Sequence, residues 1–349
     1  MTARAFITGV SGAALTAAER AFLREADSWG LILFKRNVET PEQVARLTAS
    51  FRELVGREAP VLVDQEGGRV QRLGPPHWPA YPPGAAYGRV DDRDPGAGMR
   101  AAWLGARLIA ADLRAVGIDV DCLPLADVPV PGSDAVIGDR AYGERPDKVA
   151  QLARAAAEGL LAGGVLPVVK HVPGHGRATA DSHARLPVVE ASREVLEATD
   201  FAPFRSLNDL PLAMTAHVVF SAIDPIAPAT TSATLVRTVI RSWIGFGGLL
   251  MSDDISMGAL SGSLAERSRA ALAAGCDVVL HCNGRLDEMQ AVAAAVPQLS
   301  GEAALRADAA LRRRTAPDAQ DIGALRAELA ALLAQVAQEM PAGRPMAAS

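Results

Sequence analysis

Cysteine is scarce in this chain. Cys122, Cys276 and Cys282 are the only three in 349 residues, an odd count with no CxxC spacing. A disulfide framework and the common zinc patterns are thereby excluded, and the three read as free thiols in a reducing compartment. No apolar run reaches the roughly 20 residues of a membrane span. The N-terminus has one early Arg4 and then a short apolar stretch broken by Gly9 and Gly12. That is not the core of a signal peptide, so it reads as a first strand and turn, and the cytoplasm is the expected location. A basic block is missing too. The net charge is −5, which favours neither nucleic acid nor an anionic membrane surface as partner. No GxGxxG follows the first strand, and there is no internal repeat.

What is present is apolar residue in quantity, 49% of the chain, enough for a large core. Much of it falls in short runs: Ala5 to Val10, Gly30 to Phe34, Pro60 to Val63, Ile118 to Leu123, the run opening at Val165, Leu212 to Thr215, Gly248 to Met251 and Asp277 to Leu280. Helical spacing separates them. Thr40-Pro41-Glu42-Gln43, for example, supplies an N-cap, a proline at the first position and a glutamine at the third. Further helices are expected over Ala14 to Ser28, around Met99 to Leu113, and over Pro146 to Ala162, Ser192 to Leu207, Ala233 to Trp243, Leu264 to Ala274, Leu286 to Val296 and Ile322 to Glu339. Residues 73–96 read as a long Pro- and Gly-rich loop that could hold a short helix. Eight short apolar strands alternating with helices imply parallel pairing with right-handed crossovers. The expected fold is α/β, a single-domain (β/α)8 TIM-type barrel over 1–340 with a C-terminal helix, and a disordered tail at 341–349. An open doubly wound sheet is the runner-up.

In such a barrel, chemistry sits at the C-terminal ends of the strands. The residues there are ionisable: Lys35 and Arg36, Asp64 to Arg72, Asp127 to Arg140, Lys170 to His183, His217, Asp253 and Asp254, and His281. Each has a plain structural reading beside a chemical one. Asp253, one residue past GGLLM, is placed to be a nucleophile on rigid scaffold, or else a helix cap or ion-pair member; Asp254 fits the cap better. Asp181 and His183 are two apart, so in an extended segment the carboxylate could orient the imidazole for acid and base work. Lys170 and His171 alternate along a strand and should face opposite ways. Lys170 could clamp hydroxyls or form an imine, as in a lysine aldolase. His171 and His175 have metal-pair spacing only on a helix, which Pro173 and Gly174 oppose, so no metal is expected. Asp64, Arg69 and Arg72 suit vicinal hydroxyls, or could form a buried structural pair.

Together, DQEGGRVQR (64–72), GDRAYG (138–143), KHVPGHG followed by DSH (170–183), MTAH (214–217) and SDDISM (252–257) resemble the motif set of bacterial β-N-acetylglucosaminidases of glycoside hydrolase family 3. Order and spacing agree over nearly the whole chain; Val172 stands where that family usually has Phe. The resemblance implies that Asp253 is the nucleophile, that His183 is the general acid/base with Asp181 as its partner, and that Asp64, Arg72, Arg140, Lys170 and His171 bind the N-acetylglucosamine ring. It further implies a retaining, cofactor-free, cytoplasmic enzyme of peptidoglycan recycling. Such an enzyme releases N-acetylglucosamine from its β-1,4 link to anhydro-N-acetylmuramic acid, with or without peptide. A monomer acting on a small carbohydrate is the expectation, with phosphorolysis or an aldolase reaction as alternatives. The loop holding the Asp181–His183 pair is expected to close over substrate.

Overall fold

The computed structural model describes residues 3–336. Eight parallel strands close into a barrel, and each lies beside its neighbours in chain order. They are β1 (Arg4–Thr8), β2 (Ser28–Leu33), β3 (Val61–Val63), β4 (Val120–Asp121), β5 (Leu166–Val172), β6 (Leu212–Thr215), β7 (Leu249–Asp254) and β8 (Val278–His281). β1 pairs with β8 through Phe6↔Val279 and with β2 through Ile7↔Gly30, which completes the ring. All eight anticipated strands are present. The (β/α)8 reading therefore holds, and the open sheet does not.

Alternation along the strands builds two apolar layers. Leu166, Val168, Leu212, Met214, Leu249, Met251, Val278 and Leu280 fill the barrel interior. Val169, Ala213, Leu250 and Val279, from the opposite parity, pack outward against the helices. The helices start where the sequence chemistry puts them. The Thr40 hydroxyl accepts from the Gln43 amide ahead of helix Pro41–Val55, and Thr16 with Glu19 forms a full capping box.

Some expectations need correction. The predicted helix Ser192 to Leu207 is two short pieces, Arg193–Ala198 and Ala202–Arg205. Pro203 has no N–H to continue a helix and so falls in the first turn of the second piece. Helix Gly301–Leu311 had no counterpart in the sequence reading, while the short helix allowed for in the long loop is present as Gly84–Arg93. The last helix runs Ile322–Ala334, held to the preceding layer by a two-pronged Arg100–Glu328 pair at 2.7 and 2.8 Å. The tail expected at 341–349 lies outside the described residues. Among the described residues, no helix is long and apolar enough to cross a membrane.

Candidate active site

A cavity of about 570 Å³ opens at the C-terminal mouth of the barrel, within the size range of small-ligand sites. Asp64, Arg72, Arg140, Lys170, His171, Asp181, His183 and Asp253 all line it. They come from four strand ends that are far apart in sequence.

Two departures from regular pairing shape the mouth. Pairing of β5 with β6 shifts register between Val169 and Val172, and pairing of β7 with β8 shifts between Met251 and Asp254. Lys170 keeps the inward parity of Leu166 and Val168. His171 would face outward in a regular strand, yet it too lines the cavity. The expected opposition of these two side chains is thus overturned by the local irregularity, which re-aims a residue at the strand end. The Lys170–His171 and Val172–Pro173 peptide bonds are both cis.

Charge at the mouth is organised as a row of alternating sign. Arg72 meets Asp64 at 3.1 Å, Asp64 meets Lys170 at 2.8 Å, and Lys170 meets Glu66 at 2.6 Å. Glu66 then receives Arg140 through two bonds of 2.8 and 2.9 Å. Lys170 is only 2% exposed. Burial alone would discharge it, but the Asp64 and Glu66 carboxylates outweigh burial and hold its ammonium well above the usual lysine range. Burial also opposes ionisation of Glu66, yet Lys170 and Arg140 bring it down to about 2. Asp64 is likewise held low by Lys170 and Arg72 against burial. An amine kept protonated this firmly is a poor imine former, so the aldolase reading loses its nucleophile. Glu66 was not singled out from sequence. Its partners are 74 and 104 residues away, so no local spacing marks it.

The histidines divide by burial. His171 Nδ1 lies 2.7 Å from Asp127, a buried carboxylate held ionised by His171 despite desolvation. That partner makes Nδ1 the donor and leaves Nε2 toward the cavity. His175 is buried, and burial pushes it down to about 4, so it is neutral. Its backbone amide donates to Asp127, and its Nε2 sits 3.0 Å from the Ser182 hydroxyl. His183 is different. It is 67% exposed, and its Nδ1 is 2.7 Å from Asp181, which also accepts from the His183 amide. Burial nudges Asp181 upward, but these two bonds keep its carboxyl below the ordinary range. The pair reaches the mouth because Gly176 lets the loop cross directly over the backbone of Val128, where a Cβ would collide with the Val128 carbonyl.

Asp253 follows the inward parity of Leu249 and Met251. Burial raises its pKa, but His217 and His171 outweigh that and keep it ionised below the ordinary carboxylate range. Among the described residues, its hydrogen bond is from the Asp254 amide at 2.8 Å. Asp254 takes the structural part instead: it accepts from the Ser256 amide and hydroxyl and from the Cys282 amide. His217 donates from Nε2 to the Asp254 carbonyl at 3.0 Å, with Nδ1 against Thr230. Arg69, expected in a possible buried pair, is half-exposed. It meets Asp139 at 3.2 Å and grips the carbonyls of Ala135, Val136 and Ile137. Among the described residues, no cluster of three or more His, Cys, Asp or Glu side chains is arranged to hold a metal.

An ionised carboxylate at a strand tip, an imidazole–carboxylate pair across the same cavity and a row of fixed charges together suit displacement at an acetal carbon. Comparison with known proteins agrees. Residues 7–315 match the model of the glycosyl hydrolase family 3 N-terminal domain. The chain is similar to a beta-hexosaminidase of Alkalilimnicola ehrlichii, 42% identical over 281 residues and covering 79% of each chain. Among solved structures it resembles native NagZ from Neisseria gonorrhoeae, with a TM-score of 0.80 and 34% identity over 95% of this chain and 98% of that one. It also resembles the same protein in complex with N-trifluoroacetyl-D-glucosamine, with a TM-score of 0.79 and 33% identity over 96% and 98% of the two chains.

Proposed function

The chain belongs to glycosyl hydrolase family 3 and is a glycoside hydrolase, and from that premise we propose that it is a retaining exo-β-N-acetylglucosaminidase. Asp253 attacks the anomeric carbon and forms a covalent glycosyl-enzyme. His183, oriented by Asp181, gives its proton to the leaving oxygen and then takes one from the incoming water. Asp64, Arg72, Arg140, Lys170 and His171 hold the ring. The substrate is a terminal non-reducing N-acetylglucosamine β-1,4-linked to anhydro-N-acetylmuramic acid, with or without peptide. The enzyme works as a monomer in cytoplasmic peptidoglycan recycling. The Asp181–His183 turn closes over bound substrate.

One observation carries this reading: Asp253 and the Asp181–His183 pair face a single cavity large enough for a sugar. The liganded neighbour's N-acylated glucosamine supports the choice of sugar. Turnover of 4-nitrophenyl N-acetyl-β-glucosaminide, with and without phosphate and beside the corresponding glucoside, tests it. Hydrolysis of the acetamido sugar at a rate indifferent to phosphate is expected. A preference for the glucoside, or a phosphate requirement, refutes the assignment.

A further inference from the structure

The turn that bears Asp181 and His183 contains one residue unlike its neighbours. Ser182 is 3% exposed, whereas the side chains on either side are 41% and 67% exposed. Its hydroxyl reaches inward to the buried His175. Its carbonyl accepts from the Ala259 amide at 3.1 Å, and the His183 carbonyl accepts from the Gly258 amide at 3.1 Å. Gly258 and Ala259 stand just beyond the tip of β7, and the start of that segment is fixed by the bonds from Ser256 to Asp254. A Cβ built on Gly258 would lie 2.9 Å from the carbonyl oxygens of both His183 and Ala184. These are backbone atoms, not flexible side-chain ends, so a side chain there displaces the turn.

We propose that Gly258 and Ala259 form a seat for the Asp181–His183 turn, with Ser182 as the buried peg that holds the turn on it. Gly258 and Ser182 are then positioning residues for the imidazole. The inference rests on the acid/base reading of His183. Its physical content is that His183, in the seated position of the turn, is located by a path of five residues from Asp253 and two backbone hydrogen bonds in addition to the long loop from β5. The spacing of the two groups across the cavity is therefore set in part from the strand that carries Asp253. Reacting groups displaced by about 1 Å lose on the order of 100-fold in rate, so even a fraction of that displacement at the seat costs measurable activity.

The experiment compares Gly258→Ala, Ser182→Ala and His183→Ala by kcat/KM on two substrates, the natural disaccharide and the activated nitrophenyl glycoside. kcat/KM reports the step in which the leaving oxygen needs its proton. Gly258→Ala and Ser182→Ala are expected to lose about 10- to 100-fold on the disaccharide and no more than about threefold on the aryl glycoside, the same asymmetry as His183→Ala. Amide exchange at Gly258 and Ala259 should quicken in Ser182→Ala. Ser182→Ala removes one oxygen only, so it keeps the test open if Gly258→Ala folds poorly. If His183→Ala discriminates between the substrates while Ser182→Ala loses both alike or neither, the seat is refuted and the acid/base reading stands. If His183→Ala itself loses both alike, the acid role fails and the seat fails with it.

Discussion

Asp253 and Asp254 are adjacent carboxylates with separate tasks, and the division follows from their partners. Asp254 accepts three bonds from its own turn and from Cys282; Asp253 accepts one and keeps its remaining lone pairs toward the cavity. Asp253→Ala is therefore expected to cut kcat by at least about 10³-fold, while N-acetylglucosamine still binds in a calorimetric titration. Retained turnover would reassign the nucleophile. Glu66 supports a different kind of prediction. It shares its carboxylate between Lys170 and Arg140, so Glu66→Ala leaves two buried cations short of a partner and is expected to cost about 3–5 kcal/mol in urea unfolding. The pH dependence has a definite sign. Its folded-state value near 2 lies below the ordinary 4.5, so its stabilising contribution is complete above pH 4.5 and is lost as pH falls toward 2. Unfolding midpoints measured from about pH 5 to about pH 2.5 should fall less steeply in Glu66→Gln than in the parent.

The strands with irregular ends, β5 and β7, are the ones that deliver Lys170, His171 and Asp253. Their bodies were legible in the sequence because short β-branched apolar runs bounded by Gly and Pro have few alternatives. The orientation of His171 was not, because two-residue alternation is the only orientation rule a sequence offers and β5 abandons it there, whereas Lys170 and Asp253 keep it. Other misses have equally local causes. Helix Gly301–Leu311 is largely alanine and polar residues, so it shows little apolar periodicity. Helix Gly84–Arg93 begins straight after Pro82-Pro83, inside a stretch whose composition signals loop, so its presence was allowed for but its bounds were not legible. The Asp181–His183 pair could be read directly, being two residues apart, whereas Glu66, Asp127 and His175 acquire their partners only through folding. The loop from β5 supplies the prediction at this scale. Gly176→Ala forces it off the Val128 backbone, and a loss on the order of 100-fold in kcat/KM is expected. Near-native activity in that variant would mean that the crossing at Val128 does not set the position of the pair.

Across the whole molecule, ring closure separates stability from chemistry along the barrel axis. Leu166, fully buried in the interior at the end away from the mouth, contributes packing only. Leu166→Ala should lower stability by about 2–5 kcal/mol and leave kcat/KM of the folded fraction unchanged, as thermal melts beside initial rates would show. The opposite faces of the barrel also explain why the family could be read so early. The recognisable motifs all fall on one end of it, and the helices between them need only be amphipathic.

The groups proposed to hold the ring and the pair proposed to handle the proton are built on different supports. The first stand on strand ends locked by mutual charge, the second on an excursion pinned at a few backbone points. Such an arrangement is modular beyond His175, whose amide braces the Asp127 partner of His171, so the exchangeable part is the 177–187 segment. Replacing it together with the Gly258–Ala259 contact would retune which leaving groups the enzyme accepts without redesigning the part that selects the sugar.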